Sequence, residues 1–463
     1  MLSPSVSVIV LGWGGESYVA RCLAALSAQT HPNVEIILVD NASPDSTAAI
    51  VERYFPDVKL VRMGRNLGVA GGNNAGFRAA SGEILILTNV DTEARPDWVA
   101  LLVRTFAQDP SIGIASSKLV YPEGRIQYAG GVVDPKQGFA RHIGVGKPND
   151  PETGVRDIDF ATGASLAIRR SVLDAIGLED EAYFPIDYED SDLSYRARLA
   201  GWRVVYIPES VSTHYESSTV RPLAPHRVLS SQVGRLRFVS KFWSESDLTG
   251  RFLVEEVRWL DELGDSADEI GRFMLTAMPL VYFKTLLDLD ELVAWRVRLG
   301  VGGAEASRHA LMSVLTQLRA ACAPKSPPGF RDASQNQAVE AVRQALGAWL
   351  PEEHLGAGAP LLLSMQTAQA RVNPHLPIAW PAWPPGVIPK LTAALQKVTR
   401  RCLSWYINPL VAQQNEINAE LLRSVQMLSQ EVLLLRGQVA ARDKASGASA
   451  GDSRPGLSSP AGE

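Results

Sequence analysis

The sequence predicts an α/β protein: an open, mostly parallel, Rossmann-like sheet over roughly the first 225 residues, then an α-helical region and a C-terminal heptad helix. Three observations carry this. The apolar runs Val6–Leu11, Val34–Val39 and Glu83–Leu87 recur with amphipathic segments between them. Runs this apolar, with little alternation, are the mark of strands covered on both faces. The connections between them are short, as repeated βα units require. After His214 the texture changes to long amphipathic patterns, from His226 to Leu299 and again to Leu350.

In order, Val6–Leu11 ends at Gly12 and is followed by an amphipathic segment from Ser17 to Ala28. Val34–Val39 ends in Asp40-Asn41-Ala42-Ser43-Pro44-Asp45, where Ser43 and Pro44 read as the N-cap and first residue of a helix through Tyr54. Val58–Val61 and Glu83–Leu87 are further strands, with the glycine-rich Gly64–Gly76 between them. Gly124–Val133 reads as hairpin material and Ile158–Ile168 as one strand. The acidic cluster at Asp187 opens a helix to Leu199, and Arg203–Ile207 closes the sheet.

The expected divisions are an α/β domain at 1–225, a helical extension at 226–370, a Pro/Trp-rich linker at 371–390, a helix or coiled coil at 391–442 and a disordered tail at 443–463. In the last helix Leu421, Val425, Leu428, Val432, Leu435 and Val439 step by four and three residues, the a/d seam of a heptad. Two occupants suit that seam equally: a second copy, giving a homo-oligomer, or the chain's own domain.

Composition narrows the function. A formal net charge of −5 over 463 residues provides no basic field, so nucleic acid is excluded as the expected partner. The three cysteines, Cys22, Cys322 and Cys402, are odd in number and far apart, which argues against a disulfide framework or zinc site and fits a reducing cytoplasm. No secretory signal is visible. The apolar stretch Phe273–Phe283 contains Pro279 and is too short to span a bilayer. A cytoplasmic protein is expected; peripheral contact with a membrane through Trp380, Trp383 and Trp405 is left open.

The densest charge is Asp187-Tyr188-Glu189-Asp190-Ser191-Asp192, four carboxylates in six residues. Such crowding is unfavourable unless a cation, a proton or a helix N-terminus offsets it. Asp40 and Asp91 follow strands, and His214 follows the last strand, so all fall where ligands sit in open α/β sheets. Each has a bland reading: a turn acceptor for Asp40, a cap for Asp91, a dipole partner for the cluster, a satisfied histidine for His214. The glycines fit neither GxGxxG nor a P-loop and suit close packing equally well. Taken together, the residues suggest that Asp91 and His214 hold a Mg²⁺ or Mn²⁺ bearing a diphosphate, while a carboxylate of the cluster takes a proton from an attacking hydroxyl.

At these positions the chain resembles the family 2 glycosyltransferases of the GT-A fold, in their rhamnosyltransferase-like branch. The resemblance runs through Val6–Val10, Val39–Ser43, Arg65–Gly68 with Gly71, Gly72, Asn73 and Gly76, then Asn89–Asp91, Thr162–Ala164, Tyr188–Leu193 with Arg196 and Gly201, Pro208 and His214. It implies that Asp40 reads the nucleotide base and that Asn41, Asn66, Gly68, Asn73 and Asn89 line the nucleotide-sugar site. Gly163 and Ala164 would lie beside donor sugar and acceptor. Asp91 would stand at the metal end of a DxD-like motif whose first position is Asn89, with His214 completing the site. Asp190 would be the general base, flanked by Glu189 and Asp192. The implied reaction is an inverting transfer from a UDP- or dTDP-sugar, dTDP-rhamnose among them, to a hydroxyl of a surface polysaccharide or lipid-linked glycan. A nucleotidyltransferase is disfavoured because Gly12–Glu16 lacks Lys and Arg. An inactive module acting through its helical part is the other alternative.

Overall fold

The computed structural model describes residues 4–215, 225–265 and 269–322, all within one compact unit, residues 1–326. The expected linker, heptad helix and tail, with Trp380, Trp383 and Trp405, lie outside the described residues, as does the helical pattern beyond Cys322.

Twelve strands are described. The main sheet has the order β10-β12-β6-β11-β4-β1-β2-β3, with β5 paired to β12 and β7 to β6; β8 and β9 form a separate pair. Strands β1 (Val6–Gly12), β2 (Val34–Asp40), β3 (Lys59–Arg62) and β4 (Ile84–Asn89) are parallel. Their side chains alternate between two cores. Val6, Val8, Val10, Leu38, Ile84 and Ile86 pack on α1 (Val19–Ser27), α2 (Thr47–Tyr54) and α4 (Trp98–Gln108). Ile9, Ile37, Val39, Leu85 and Leu87 face α3 (Gly68–Ala79), α5 (Arg170–Ile176) and α6 (Glu189–Leu199). Both faces are covered, which is why these strands read as unbroken apolar runs.

The other half of the sheet is mixed. β11 (Ser165–Arg169) runs antiparallel to β4 and to β6 (Ile112–Val120), and β12 (Arg203–His214) runs parallel to β6. β5 (Thr92–Ala94), β7 (Ile126–Tyr128) and β10 (Arg156–Asp157) are short edge pieces, and β8 (Gly131–Val133) pairs with β9 (Ala140–His142).

Several elements differ from expectation. Helix α2 starts at Thr47, because Ser43 is occupied elsewhere: its N–H donates to Asp40 Oδ1 and its hydroxyl accepts Gly14 N–H. The glycine-rich segment is helical. A Cβ at Gly76 would lie 2.2 Å from Ile9 Cγ2 and one at Gly72 2.3 Å from Leu11 Cδ1, so these glycines let α3 approach β1. The single strand expected at Ile158–Ile168 is broken by a turn closed by Ser165 N–H on the Thr162 carbonyl (2.9 Å). The hairpin expected within Gly124–Val133 is divided, β7 joining β6 and β8 joining β9. β12 continues past Ile207 through a bulge at Pro208, a residue with no N–H to place in a ladder, and reaches His214.

A helical layer follows: α7 (Pro225–Phe242), α8 (Glu245–Asp247), a π-helical turn, α9 (Leu253–Asp265), α10 (Glu269–Leu287), α11 (Leu289–Arg298) and α12 (Ala304–Cys322). No helix among the described residues is long and apolar enough to cross a membrane. The layer is tied to the sheet by buried charge. Arg237 and Lys241 on α7 both donate to Asp180, and Lys241 also to Asp192 on α6.

Candidate active site

Three groups of residues meet the carboxyl ends of the parallel strands. The first is built by β4, β5 and β12. β4 ends at Asn89, and β5 starts at once and pairs antiparallel with the end of β12, setting His214 opposite Thr92. His214 Nε2 thereby stands 3.2 Å from Asp91 Oδ1 and 3.4 Å from Asn89 Nδ2, and Tyr215 N–H donates to the Asp91 carbonyl. On the other side of the ring, Nδ1 lies 2.8 Å from Gln127 Oε1 on β7. A proton on Nδ1 donated to that oxygen leaves the Nε2 lone pair facing a carboxylate, the arrangement in which a second residue fixes a ligand histidine's tautomer. Both side chains are about nine-tenths buried. One carboxylate oxygen and one imidazole nitrogen make a donor pair that fits a divalent cation sharing its remaining positions with phosphate oxygens, while Asn89 meets the imidazole through its Nδ2. Among the described residues no group of three or more His, Cys, Asp or Glu could hold a metal unaided.

The second group surrounds Asp190. Gly163 N–H donates to its Oδ2 (3.0 Å), and the N–H (2.6 Å) and hydroxyl (3.1 Å) of Ser191 donate to its Oδ1. The turn carrying Gly163 and Ala164 sits beside β4, where Thr88 Oγ1 donates to the Ala164 carbonyl. Burial pushes the Asp190 carboxyl up to about 6 against these three donors, with Asp187 adding to the rise. Glu189 is raised well above the carboxylate range, by burial first and then by the charges of Asp190, Glu179 and Asp187. Glu179 was not singled out from the sequence. It is buried, is pushed up to about 8 by that burial, and receives Asn73 Nδ2 at 3.1 Å. Glu179 Oε1 and Glu189 Oε2 are buried without hydrogen-bond partners among the described residues. Neutral, protonated carboxyls suit both positions.

Asp192 does not join them. It is fully buried: Arg196 Nε holds its Oδ1 (2.6 Å), and Lys241 Nζ and the Tyr183 hydroxyl hold its Oδ2. This carboxylate anchors α6 to the helical layer and has no oxygen left for an acceptor.

The third group lies at the ends of β2 and β3. Asp40 accepts Ser43 N–H (3.0 Å), the turn role weighed for it from the sequence. Asn41 Nδ2 donates to Asn66 Oδ1 (3.0 Å) and to the Gly68 carbonyl (2.9 Å), while its Oδ1 accepts Leu67 N–H (3.0 Å). Asn41 and Asn66 therefore shape the loop entering α3. Gly68, at φ 72°, fits against Pro185, whose carbonyl accepts Val69 N–H. Asn73 points away from this group, to Glu179.

Gln127 and Glu179 escaped the sequence reading. Gln127 sits on a three-residue strand with no motif around it. Glu179 precedes the acidic cluster by a full loop and is brought back by the fold.

Residues 7–177 match the family model described as Glycosyl transferase family 2, and residues 152–228 the one described as Glycosyltransferase like family 2. An uncharacterised protein of Sinorhizobium fredii is 31% identical over 230 residues, covering 47% of this chain and 25% of that protein. An O-antigen biosynthesis protein of Myxococcus xanthus is 33% identical over 231 residues, covering 47% and 18%. The N-acetylglucosaminyl-diphospho-decaprenol L-rhamnosyltransferase of Mycobacterium tuberculosis is 28% identical over 244 residues, covering 47% and 79%. The chain thus spans a quarter or less of the length of the first two relatives. The crystal structure of GalNAc-T7 with UDP, GalNAc and Mn²⁺ is similar at a TM-score of 0.48 and 18% identity, covering 68% of this chain and 57% of that one. That likeness is too weak to assign a ligand.

Proposed function

We propose that this chain, a family 2 glycosyltransferase by the match of residues 7–177 and 152–228, moves a sugar from a nucleoside-diphosphate donor to a hydroxyl of a polysaccharide or lipid-linked glycan precursor, with inversion at the anomeric carbon. The acceptor oxygen forms a bond to that carbon, the bond to the diphosphate oxygen breaks, and the hydroxyl proton passes to Asp190. What supports this most is one contact, Gly163 N–H on Asp190 Oδ2, which keeps a carboxylate of raised proton affinity against the turn that abuts β4, the strand leading into Asn89 and Asp91. A base with a pKa about 6 is mostly ionised near neutrality yet takes a proton more readily than an ordinary carboxylate.

Asp91 and His214 would hold a Mg²⁺ or Mn²⁺, which supplies charge to offset that developing on the departing diphosphate. The names of the Myxococcus and Mycobacterium relatives, in O-antigen biosynthesis and rhamnosyl transfer to a lipid diphosphate, support a surface-glycan acceptor and a rhamnosyl donor, for which dTDP-rhamnose is our candidate. Asp40, Asn41, Asn66 and Gly68 would shape the nucleotide side of the site; their hydrogen bonds fix the loop that faces it.

The test is nucleotide release from a panel of UDP- and dTDP-sugars with Mn²⁺, comparing wild type with Asp190→Asn. The variant should lose acceptor-dependent transfer at least a hundredfold while keeping its melting temperature; full transfer by Asp190→Asn would refute the base assignment. A nucleoside diphosphate at a hundred times its Kd should stabilise the wild type by about 2.7 kcal/mol with Mn²⁺ present, and His214→Ala should abolish the dependence of that stabilisation on Mn²⁺.

A further inference from the structure

The helix carrying Asp190 is entered through two consecutive residues with left-handed backbone, Asp187 at φ 83° and Tyr188 at φ 75°. Non-glycine residues rarely hold that conformation, and two in a row persist only where the surroundings enforce it. Here two elements do so, from opposite sides. The Tyr188 side chain is buried, and its hydroxyl donates to the carbonyl of Gly138, in the turn joining β8 to β9 (3.0 Å), and accepts the N–H of Ala140, the first residue of β9 (3.1 Å). Against the other side, Gly234 of α7 comes so near that a Cβ there would lie 2.8 Å from the Asp187 carbonyl oxygen and 3.1 Å from Tyr188 Cδ2. Phe238, one turn further along α7, packs its ring 5.7 Å from that of Tyr188. The corner releases the chain at Glu189, and the next residue is Asp190, whose carboxylate accepts Gly163 N–H.

We infer that Tyr188 and Gly234 are positioning residues for Asp190: the β8–β9 turn and helix α7 grip a strained corner between them, and that grip aims the carboxylate at the reacting hydroxyl. The inference rests on the reading of Asp190 as the base. It makes α7, in a region that carries no catalytic motif, part of the catalytic apparatus. Glu179, Glu189 and Asp187 are the acidic groups around the aimed carboxylate, so a small displacement of α6 alters both its direction and its proton affinity.

The experiment uses the full chain with ¹³C-labelled aspartate carboxyls, the Asp190 resonance being identified by its loss in Asp190→Asn. Tyr188→Phe keeps the ring and removes both hydrogen bonds. Gly234→Ala pushes on the corner from the other side. In each variant the Asp190 titration midpoint should move down by at least half a unit as the site opens to water. Nucleotide release from the donor that wild type turns over should fall about tenfold in kcat, with the KM for donor unchanged. The melting temperature should fall by a few degrees at most. If Asp190 titrates in both variants where it does in wild type, the inference is overturned, because a merely structural role would lower stability and leave that midpoint in place. If Asp190→Asn itself retains transfer, the base reading fails and this inference falls with it, and the two failures are told apart by that one variant.

Discussion

Asp190 and Glu179 are acidic side chains displaced upward by the same burial, and they invite two different tests. Asp190, with a pKa about 6, should give kcat/KM an acid limb that falls tenfold per unit below that pH, measured with saturating metal. Glu179 is read through stability. Its carboxyl stands at about 8 in the fold against an ordinary 4.5, so it binds a proton on folding between those values. The stability it contributes is whole below about pH 4.5 and is lost as pH rises toward 8. Glu179→Gln, uncharged throughout, should flatten that decline and gain on wild type by on the order of 4 kcal/mol at pH 8, followed by urea unfolding across the pH range. Asp91, His214 and the cluster holding Asp190 could be singled out from the sequence because they lie at strand ends or a helix start, where chain order implies position, whereas Gly163 came only from the family resemblance. Spacing alone could not separate Asp190 from Asp192; the family resemblance chose Asp190 and kept Asp192 beside it. Two residues apart, one meets Gly163 and the other meets Arg196 and Lys241, and only the packing of α7 decides between them.

Among elements, α7 bears the heaviest electrostatic duty. Burial disfavours a charge on Asp180, yet Arg237 and Lys241 together hold its carboxyl well below the usual range. Lys241 also lies 3.8 Å from the Trp295 ring centroid, tying α11 to the same cluster. Lys241→Met removes one cation from a wholly buried set and should destabilise the protein by about 3–5 kcal/mol, measured by chemical denaturation, with Asp180 and Asp192 left short of positive charge. The parallel strands were legible for a simple reason: Val6–Leu11 and Val34–Val39 are apolar on both sides. β6 was not, although all nine of its residues are buried, because Ser116, Ser117 and Lys118 interrupt its pattern. Their polar groups are satisfied by the Ser165 carbonyl, Ser210 and Asn149, partners that exist only once β11, β12 and the loop before β10 are in place. The early start expected for α2 failed on a similar competition, since Ser43 binds Asp40 and Gly14 in preference to capping a helix.

For the molecule as a whole, residues 1–326 form one compact unit although the sequence suggests a boundary near residue 225. A fragment of residues 1–326 should melt in a single cooperative transition followed by circular dichroism. A fragment of residues 1–224 should not, because it keeps Asp180 and Asp192 and loses Arg237 and Lys241, their buried counter-ions. The strand order carries a further consequence, for synthesis. Strands β1 to β4 are complete once Asn89 has left the ribosome, and they pair in the order β3-β2-β1-β4, with the far edge of β4 left open for β11. The second half cannot close in this way. β6 emerges long before β12, its parallel neighbour, so its ladder stays open on that side until residues 203–214 arrive. Folding during translation should therefore pause with half a sheet formed and one buried-type edge exposed, the interval in which a nascent chain most needs a chaperone. Protease protection of ribosome-stalled chains should rise in two steps, the first soon after Asn89 emerges and the second only after His214.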